Sequence, residues 1–482
     1  MFLLWSGVLT VLHCPRRIWQ RLSLPLFVGA ALAFTAWAGG VGVAASGPLF
    51  VSPAGNDGND CQTFSTACRT ISAAVGKASA GDIIIIASGV YTESVTLDKN
   101  LTLLGFGSDT TFISGGGTQR VLLISAGVSV NVYDVSVVHG NSDYGGGIRN
   151  YGVLTFTNST VANSYASVGG AIRNEGKLVV NSSIISGNLA SGGGGINNSG
   201  LLTINHSSVH DNQAFNGGGL VNAAGTMSVN SSNVLSNSAN QLGAGIENGS
   251  ILLVNNSVIA NNVACNQACP FNAVSLPNSK IPDTGYTSEG GGIFSSGGAL
   301  TVTNSTISTN TVLFGHSAGL SNNSRAMISN TTISGNTAAY AAGIDNNFAM
   351  TLTNVTLSGN VNDGLRSYGT AWVQNTIVAS GGCAGPGVIS LGHNVDSGNS
   401  CGLHATGDLT NTNPLLGPLQ NNGGPTPTHA LLPGSPAING GDNAGCPATD
   451  QRGITRPQAG ICDIGAYEYV FSNTLYLPLI MR

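Results

Sequence analysis

Charge is what this 482-residue chain has least of: Asp, Glu, Lys and Arg together make up 8%, against about 25% in ordinary soluble domains. Sixteen Lys+Arg against 21 Asp+Glu leave a formal net charge of -5. That balance offers no basic surface for nucleic acid. Aromatics are scarce at 6%, and no helical period runs through the middle of the chain. Disorder is excluded by a hydrophobic content of 41% and a positive mean hydropathy, since disordered chains are poor in apolar residues. What is plentiful is glycine, 69 residues, about twice the usual share.

The amino terminus reads as a targeting segment. Arg16, Arg17 and Arg21 precede an apolar run at 22–38, and small residues follow up to Ala45. That order is the one a secretory signal takes, which predicts a signal peptide at 1–45. A retained membrane anchor is the competing reading, because the run approaches spanning length.

Cysteine placement agrees with export. Beyond Cys14, the cysteines fall into sequence-local couples: Cys61 and Cys68, Cys265 and Cys269, Cys383 and Cys401, Cys446 and Cys462. Such couples are expected as disulfide staples in an oxidising compartment. Zinc is the rival for Cys265 and Cys269, but no clustered His or Cys lies near them in sequence to complete a site.

A repeat organises the middle. GGGIRN at 145–150 recurs as GGAIRN at 169–174, GGGINN at 193–198 and GGGLVN at 217–222. Looser copies stand at 243–248, 290–295, 317–322, 341–346 and 362–367. The aliphatic position moves from Ile148 to Ile172, Ile196 and Leu220, then to Ile246, Ile293, Leu320, Ile344 and Leu365. Between copies run alternating Val/Ile/Thr stretches such as LTFTNSTV at 154–161, the pattern of short β-strands. A period near 24 residues predicts three strands and three turns per coil of a parallel β-helix, with aliphatic ladders inside. Its hand is expected to be right, by the preference of parallel crossovers. The expected fold is therefore all-β: a right-handed parallel β-helix solenoid over 46–380, with a capping helix at 70–79 before a first strand at 83–87. A loop inserted at 263–289 interrupts it. A small disulfide-stapled module at 381–468 and an apolar tail at 469–482 follow.

Asn150, Asn174, Asn198, Asn222, Asn248, Asn322 and Asn346 share one repeat position, and Asn188, Asn212, Asn310, Asn336 and Asn360 share another. Inward asparagines can pass amide hydrogen bonds from coil to coil, a structural role. The residue after each ladder aliphatic should face outward, because strand side chains alternate. Those positions include Arg149, Arg173, Glu247, Asp345 and Arg366, the candidate ligand face in a chain so poor in charge. An ordinary solvated surface is the competing reading.

Catalytic signatures are missing. There is no nucleophile elbow, H-E-x-x-H or phosphate loop. His206 and His210 have no further ligand nearby, and the calcium nonapeptide lacks its Asp. No metal or cofactor is expected.

Three stretches carry a resemblance. Residues 50–116, opening FVSPAGNDGNDC, resemble the start of bacterial extracellular β-helix proteins of the pectin-lyase-like superfamily, and the GGxI repeats are similar to theirs. NPLLGPLQNNGGPTPTHALLPGSPAI at 413–438, TDQRGITRP at 449–457 and CDIGAYE at 462–468 resemble the choice-of-anchor Q domain of bacterial surface proteins. The resemblance implies export to the cell surface or medium and carries over no catalytic residues. The segments bearing catalytic Asp and Arg in pectin methylesterases, and the pectate lyase signature, have no counterpart here. The function expected is non-catalytic adhesion or binding of a polysaccharide or cell-surface glycan, with membrane contact only through the targeting segment or a sorting system. The alternative is a lyase or glycoside hydrolase acting on acidic polysaccharide, calcium entering only there.

Overall fold

The computed structural model describes residues 47–265 and 288–471. The expected signal at 1–45, Cys269 and the tail from 472 onward lie outside them. Residues 153–174 show how one coil is built. Val153–Thr157, Thr160–Ala162, Tyr165–Val168 and Ile172–Asn174 are four short strands. The sequence pattern predicts three. The difference comes from Asn158, whose left-handed backbone (φ 49°) bends a face without ending it, so its flanking strands stay in one sheet. The bend at Glu175 and Gly176 makes one of the three corners between sheets, and Asn163 (φ 52°) and Gly169 (φ 68°) make the other two. Asparagine and glycine reach this region at the least steric cost.

Stacked coils form three long parallel sheets of 25, 7 and 12 strands. Ile148 pairs with Ile172, Ile172 with Ile196 and Ile196 with Leu220. The column continues through Ile246, Ile293, Leu320, Ile344 and Leu365. All are fully buried, each contributing roughly 1.5–3 kcal/mol of apolar transfer. Among the described residues no helix is long and apolar enough to cross a membrane.

The asparagine columns are internal. Asn150 donates to Asn174 (2.7 Å), Asn174 to Asn198 (2.7 Å), Asn198 to Asn222 (2.9 Å) and Asn222 to Asn248 (2.9 Å). Ser295 replaces asparagine in the next coil and receives the bond from Asn248 at 3.1 Å. The second column runs Asn188, Asn212, Asn237, Asn262, Asn310, Asn336, Asn360. Asn237 and Asn262 had escaped the sequence pattern. A third, serine column was also unforeseen: Ser159, Ser183, Ser207, Ser232 and Ser257 are buried, each hydroxyl accepting the backbone N–H of its predecessor in the series or, for Ser159, of Val135.

The amino-terminal cap is a helix, Ile71–Lys77, with Thr70 as its N-cap, accepting from the Ala73 N–H at 3.1 Å. The first rung lies earlier than expected, because Leu49–Val51 pairs with Ile84, Ile85 and Ile86. At the other end the expected border at 380 falls inside the rod. Cys383–Ala384, Val388–Gly392 and Val395–Asp396 pair in parallel with the preceding coil. Cys401 and Leu403 then close onto the core, tied by the Cys383–Cys401 disulfide. The insertion is also narrower than 263–289, since Val263–Ala264 and Ser288–Glu289 are rod strands. Disulfides Cys61–Cys68 and Cys446–Cys462 join the expected partners.

Beyond residue 412 the chain turns back along the rod. A hairpin, Leu416–Gln420 with Thr428–Leu431, leads into a segment laid on the outer face of the widest sheet. Gln451 bonds Thr306 (2.9 Å) and Thr332 (2.7 Å), and the Ala466 N–H reaches Thr356 at 3.0 Å. The module is thus a lateral strap.

Candidate functional site

The strip of residues following the aliphatic ladder does lie on the outer side of the 12-stranded sheet, but not as an open surface. Asn197, Val221, Phe294, Ser321 and Asp345 are buried, and Arg149, Arg173, Glu247 and Arg366 are partly buried. The cause is the glycine corner just before it. A Cβ on Gly217 would collide with Val221 and come within 3.4 Å of Glu247 Oε2, and one on Gly290 would stand 2.6 Å from Phe294 Cβ. Glycine at Gly217 and Gly290 lets the corner fold this closely over the strip, which becomes the floor of a concave channel.

Chemistry along the floor falls into three zones. At the amino-terminal end Glu175 bridges two guanidiniums, 3.2 Å from Arg149 Nε and 3.4 Å from Arg173 Nε. The Arg149 guanidinium sits 4.9 Å from the Tyr144 ring and 4.6 Å from the Tyr151 ring, one on each wall. In the middle, Glu247 lies in register between Val221 and Phe294. Burial among these apolar neighbours pushes its carboxyl up to about 7. At the far end Arg366 grips Asp345 with both Nε (3.0 Å) and Nη2. The carboxylate's hydrogen bond raises the guanidinium's affinity for its proton. Glu289 accepts from Ser321 at 3.2 Å and lies 3.8 Å from His316 Nδ1. Arg173 and Asp345 are six strand steps apart, about 29 Å at ~4.8 Å per step. The expected ligand-face residues thus form two charged clusters and one isolated carboxyl.

A second concavity adjoins the amino-terminal zone. Its volume is about 1090 Å³, and it is lined by the loop at 117–120 and by Asn141, Asp143, Tyr165, Ser167 and Leu189 of the 7-stranded sheet. Arg120 joins the two concavities. Its Nη2 donates to Ser142 Oγ (2.7 Å) and to the Tyr144 carbonyl (2.9 Å). Burial holds the guanidinium's pKa below its ordinary value, with Arg149 acting in the same direction. Burial and the Asp143 charge raise that of the Tyr165 hydroxyl.

Arg120, Asp143, Tyr165 and Glu175 were not singled out from sequence. Arg120 precedes the first clear repeat copy, so periodicity gave no handle on it. Glu175 carried a visible signal, an acid two residues after Arg173 in an almost uncharged stretch. His210 and Asp211 pair at 2.8 Å, and among the described residues no group of His, Cys, Asp and Glu could hold a metal.

No protein-family model matches the chain, and no curated protein does. Among solved structures it is similar to the crystal structure of pectate lyase Pel9A (TM-score 0.42, 15% identity, 89% of this chain and 97% of that chain covered). It is also similar to XylC in complex with xylose (TM-score 0.47, 10% identity, 88% and 98% covered). At these scores the likeness says nothing about chemistry. The β-helix assignment rests on the strand pairings above.

Proposed function

We propose that this chain is an exported rod that binds a polysaccharide without cleaving it, at the amino-terminal third where the channel and the lateral groove meet. The observation carrying this reading is the groove itself: about 1090 Å³, open along the rod, lined by amide and hydroxyl groups, the Tyr165 ring and the Arg120 guanidinium. Such a lining suits sugars, which offer hydroxyls for hydrogen bonds and flat apolar ring faces for aromatic contact. Three disulfides between sequence-local cysteines support export, because such bonds persist in oxidising compartments. The lateral strap at 413–471 belongs to the same reading as the surface-associated module, in line with its resemblance to a choice-of-anchor Q domain.

One observation favours cleavage as the second reading. A carboxyl held near neutrality, as Glu247 is, suits a general acid or base. Titration of the purified protein with pectic, alginate-like and xylan oligosaccharides, with and without calcium, separates the two. Saturable binding with no product, weakened about tenfold in Arg120→Ala or Tyr165→Ala, is the expected result. Absence of binding across the panel overturns the proposal. Release of new chain ends, lost in Glu247→Gln, replaces it with the catalytic reading.

A further inference from the structure

Both ends of the channel carry arginine on the floor and tyrosine on the walls, within one coil at the first end and over two at the second, where Tyr340 leads to Asp345 and Arg366 lies one coil further on. One wall is the column Tyr144, Val168, Gly192, Asn216, Leu242, Glu289, His316, Tyr340, each paired with the next or set one place before the same corner. Tyrosine stands only at its first and last places. The opposite wall begins at Tyr151 and ends at Tyr368, each the residue directly after a floor strand. The floor at the two ends is Arg149 and Arg366. Arg149 lies between Tyr144 and Tyr151, and Arg366 lies 5.7 Å from the Tyr368 ring centroid. Tyr340 and Tyr368 are 60% and 65% exposed, Tyr144 and Tyr151 44% and 39%. In a chain with 6% aromatics, exposed tyrosines on both walls at each end are available to flat ligands.

A further observation points to a ligand at the far end. Ser317 takes the corner position that glycine holds in the earlier coils and Ala341 in the next, with φ 66°, and its hydroxyl is buried without a hydrogen-bond partner. A Cβ at the equivalent Gly290 abuts the floor residue, which sets the Ser317 side chain against the floor at Ser321. The ends differ in charge. Arg120, Arg149 and Arg173 outnumber Asp143 and Glu175 at the first, whereas Glu289, Asp345 and Asp363 outnumber Arg366 at the second. Carboxylates accept hydrogen bonds from sugar hydroxyls and repel uronates.

We infer that the channel holds one neutral glycan chain at two stations, Tyr144–Arg149–Tyr151 and Tyr340–Arg366–Tyr368. This rests on the binding function proposed above and adds a second site and the class of glycan. Arg149 and Arg366 are eight strand steps apart, about 38 Å. A chain reaching both stations binds the second intramolecularly and gains affinity without a new kind of contact.

Calorimetry with xylo-oligosaccharides of graded length tests this on the full chain, with oligogalacturonates as the acidic arm. Two short xylo-oligosaccharides are expected per protein. One is expected for lengths beyond about 38 Å, bound roughly 100-fold tighter. In the exposed-site double variant Tyr340→Ser, Tyr368→Ser, short-chain stoichiometry falls to one and the long chain loses at least tenfold in affinity, while the melting temperature stays within about 2 °C. A single short chain per wild-type protein, no gain with length, or a gain confined to oligogalacturonates overturns the two-station arrangement and leaves the first site standing. If no oligosaccharide binds at any length, the function proposed above fails, and this inference with it.

Discussion

Between residues 145 and 265 the buried polar side chains are mostly asparagine and serine, whereas between 449 and 468 they include Asp450, Arg456, Asp463 and Glu468. Both regions must satisfy polar groups away from water. The coils do it mostly by repetition: within the asparagine columns each amide finds its partner one rung along. The strap cannot, because it crosses the coils only once and meets no copy of itself. There Arg452 lies 2.7 Å from Asp450 and Arg456 3.0 Å from Glu468, each pair almost wholly buried. Arg456 also donates to the carbonyls of Asp463 and Gly465, both at 2.8 Å. Neutral ladders distribute the load over many small bonds; a charged knot concentrates it on a few residues.

That contrast is broken most sharply at Arg456. Replacing it by Met leaves the Glu468 carboxylate without its buried counter-charge, a loss of about 3–5 kcal/mol. The strap should separate from the rod before the rod melts, visible as a new low-temperature transition in calorimetry. A single unshifted transition would show that the knot is dispensable.

The next effect concerns pH. Burial lifts the Asp463 carboxyl from 3.8 to about 6. Between those values the folded chain keeps a proton that the unfolded chain gives up. This group's contribution is therefore complete below the lower value and lost as pH rises through about 6. Two units correspond to about 3 kcal/mol. Chemical denaturation at successive pH values should show the decline in the wild type and a flatter profile in Asp463→Asn. Identical slopes would remove Asp463 from the account.

Inside the ladder the expected cost is smaller. Asn198→Ala removes one of the three acceptors of the Asn174 amide, the one at 2.7 Å, and the bond onward to Asn222, whose buried Oδ1 loses its donor. About 1–3 kcal/mol should be lost. Asn150 opens the column, donating to Asn174 and to the Lys177 carbonyl of the next coil and accepting nothing, so a ladder of independent rungs predicts a smaller cost for Asn150→Ala and an additive double variant. A double variant costing clearly more than the sum would reveal cooperative coupling along the column.

Much of this was legible in advance, in proportion to how often it repeats. The Ile148 to Leu365 seam and the first asparagine column could be traced because one residue type recurs at nearly constant spacing. The serine column was missed because serine is common in the outward turns as well. Glu247 was placed among the outward-facing candidates, but its raised pKa depends on burial with Val221 and Phe294 lying one rung to either side. Residues 383–396 were assigned to the module because their strands lack the GGxI signature, although they complete a coil by pairing alone.

The amino-acid order by itself determined the rod. A repeat of about 24 residues with glycine or asparagine at most corners places like side chains above like, and the hydrophobic effect then closes a seam that no single coil could bury. Folding in three dimensions decided what the rod can hold. Whether the strip would be a bare surface or a channel floor depended on how tightly the glycine corners turn. Where the strap would lie depended on pairs such as Gln451 with Thr306, which are 145 residues apart and share no period. Contacts between unlike, distant segments leave no periodic trace along the chain, because each is made once.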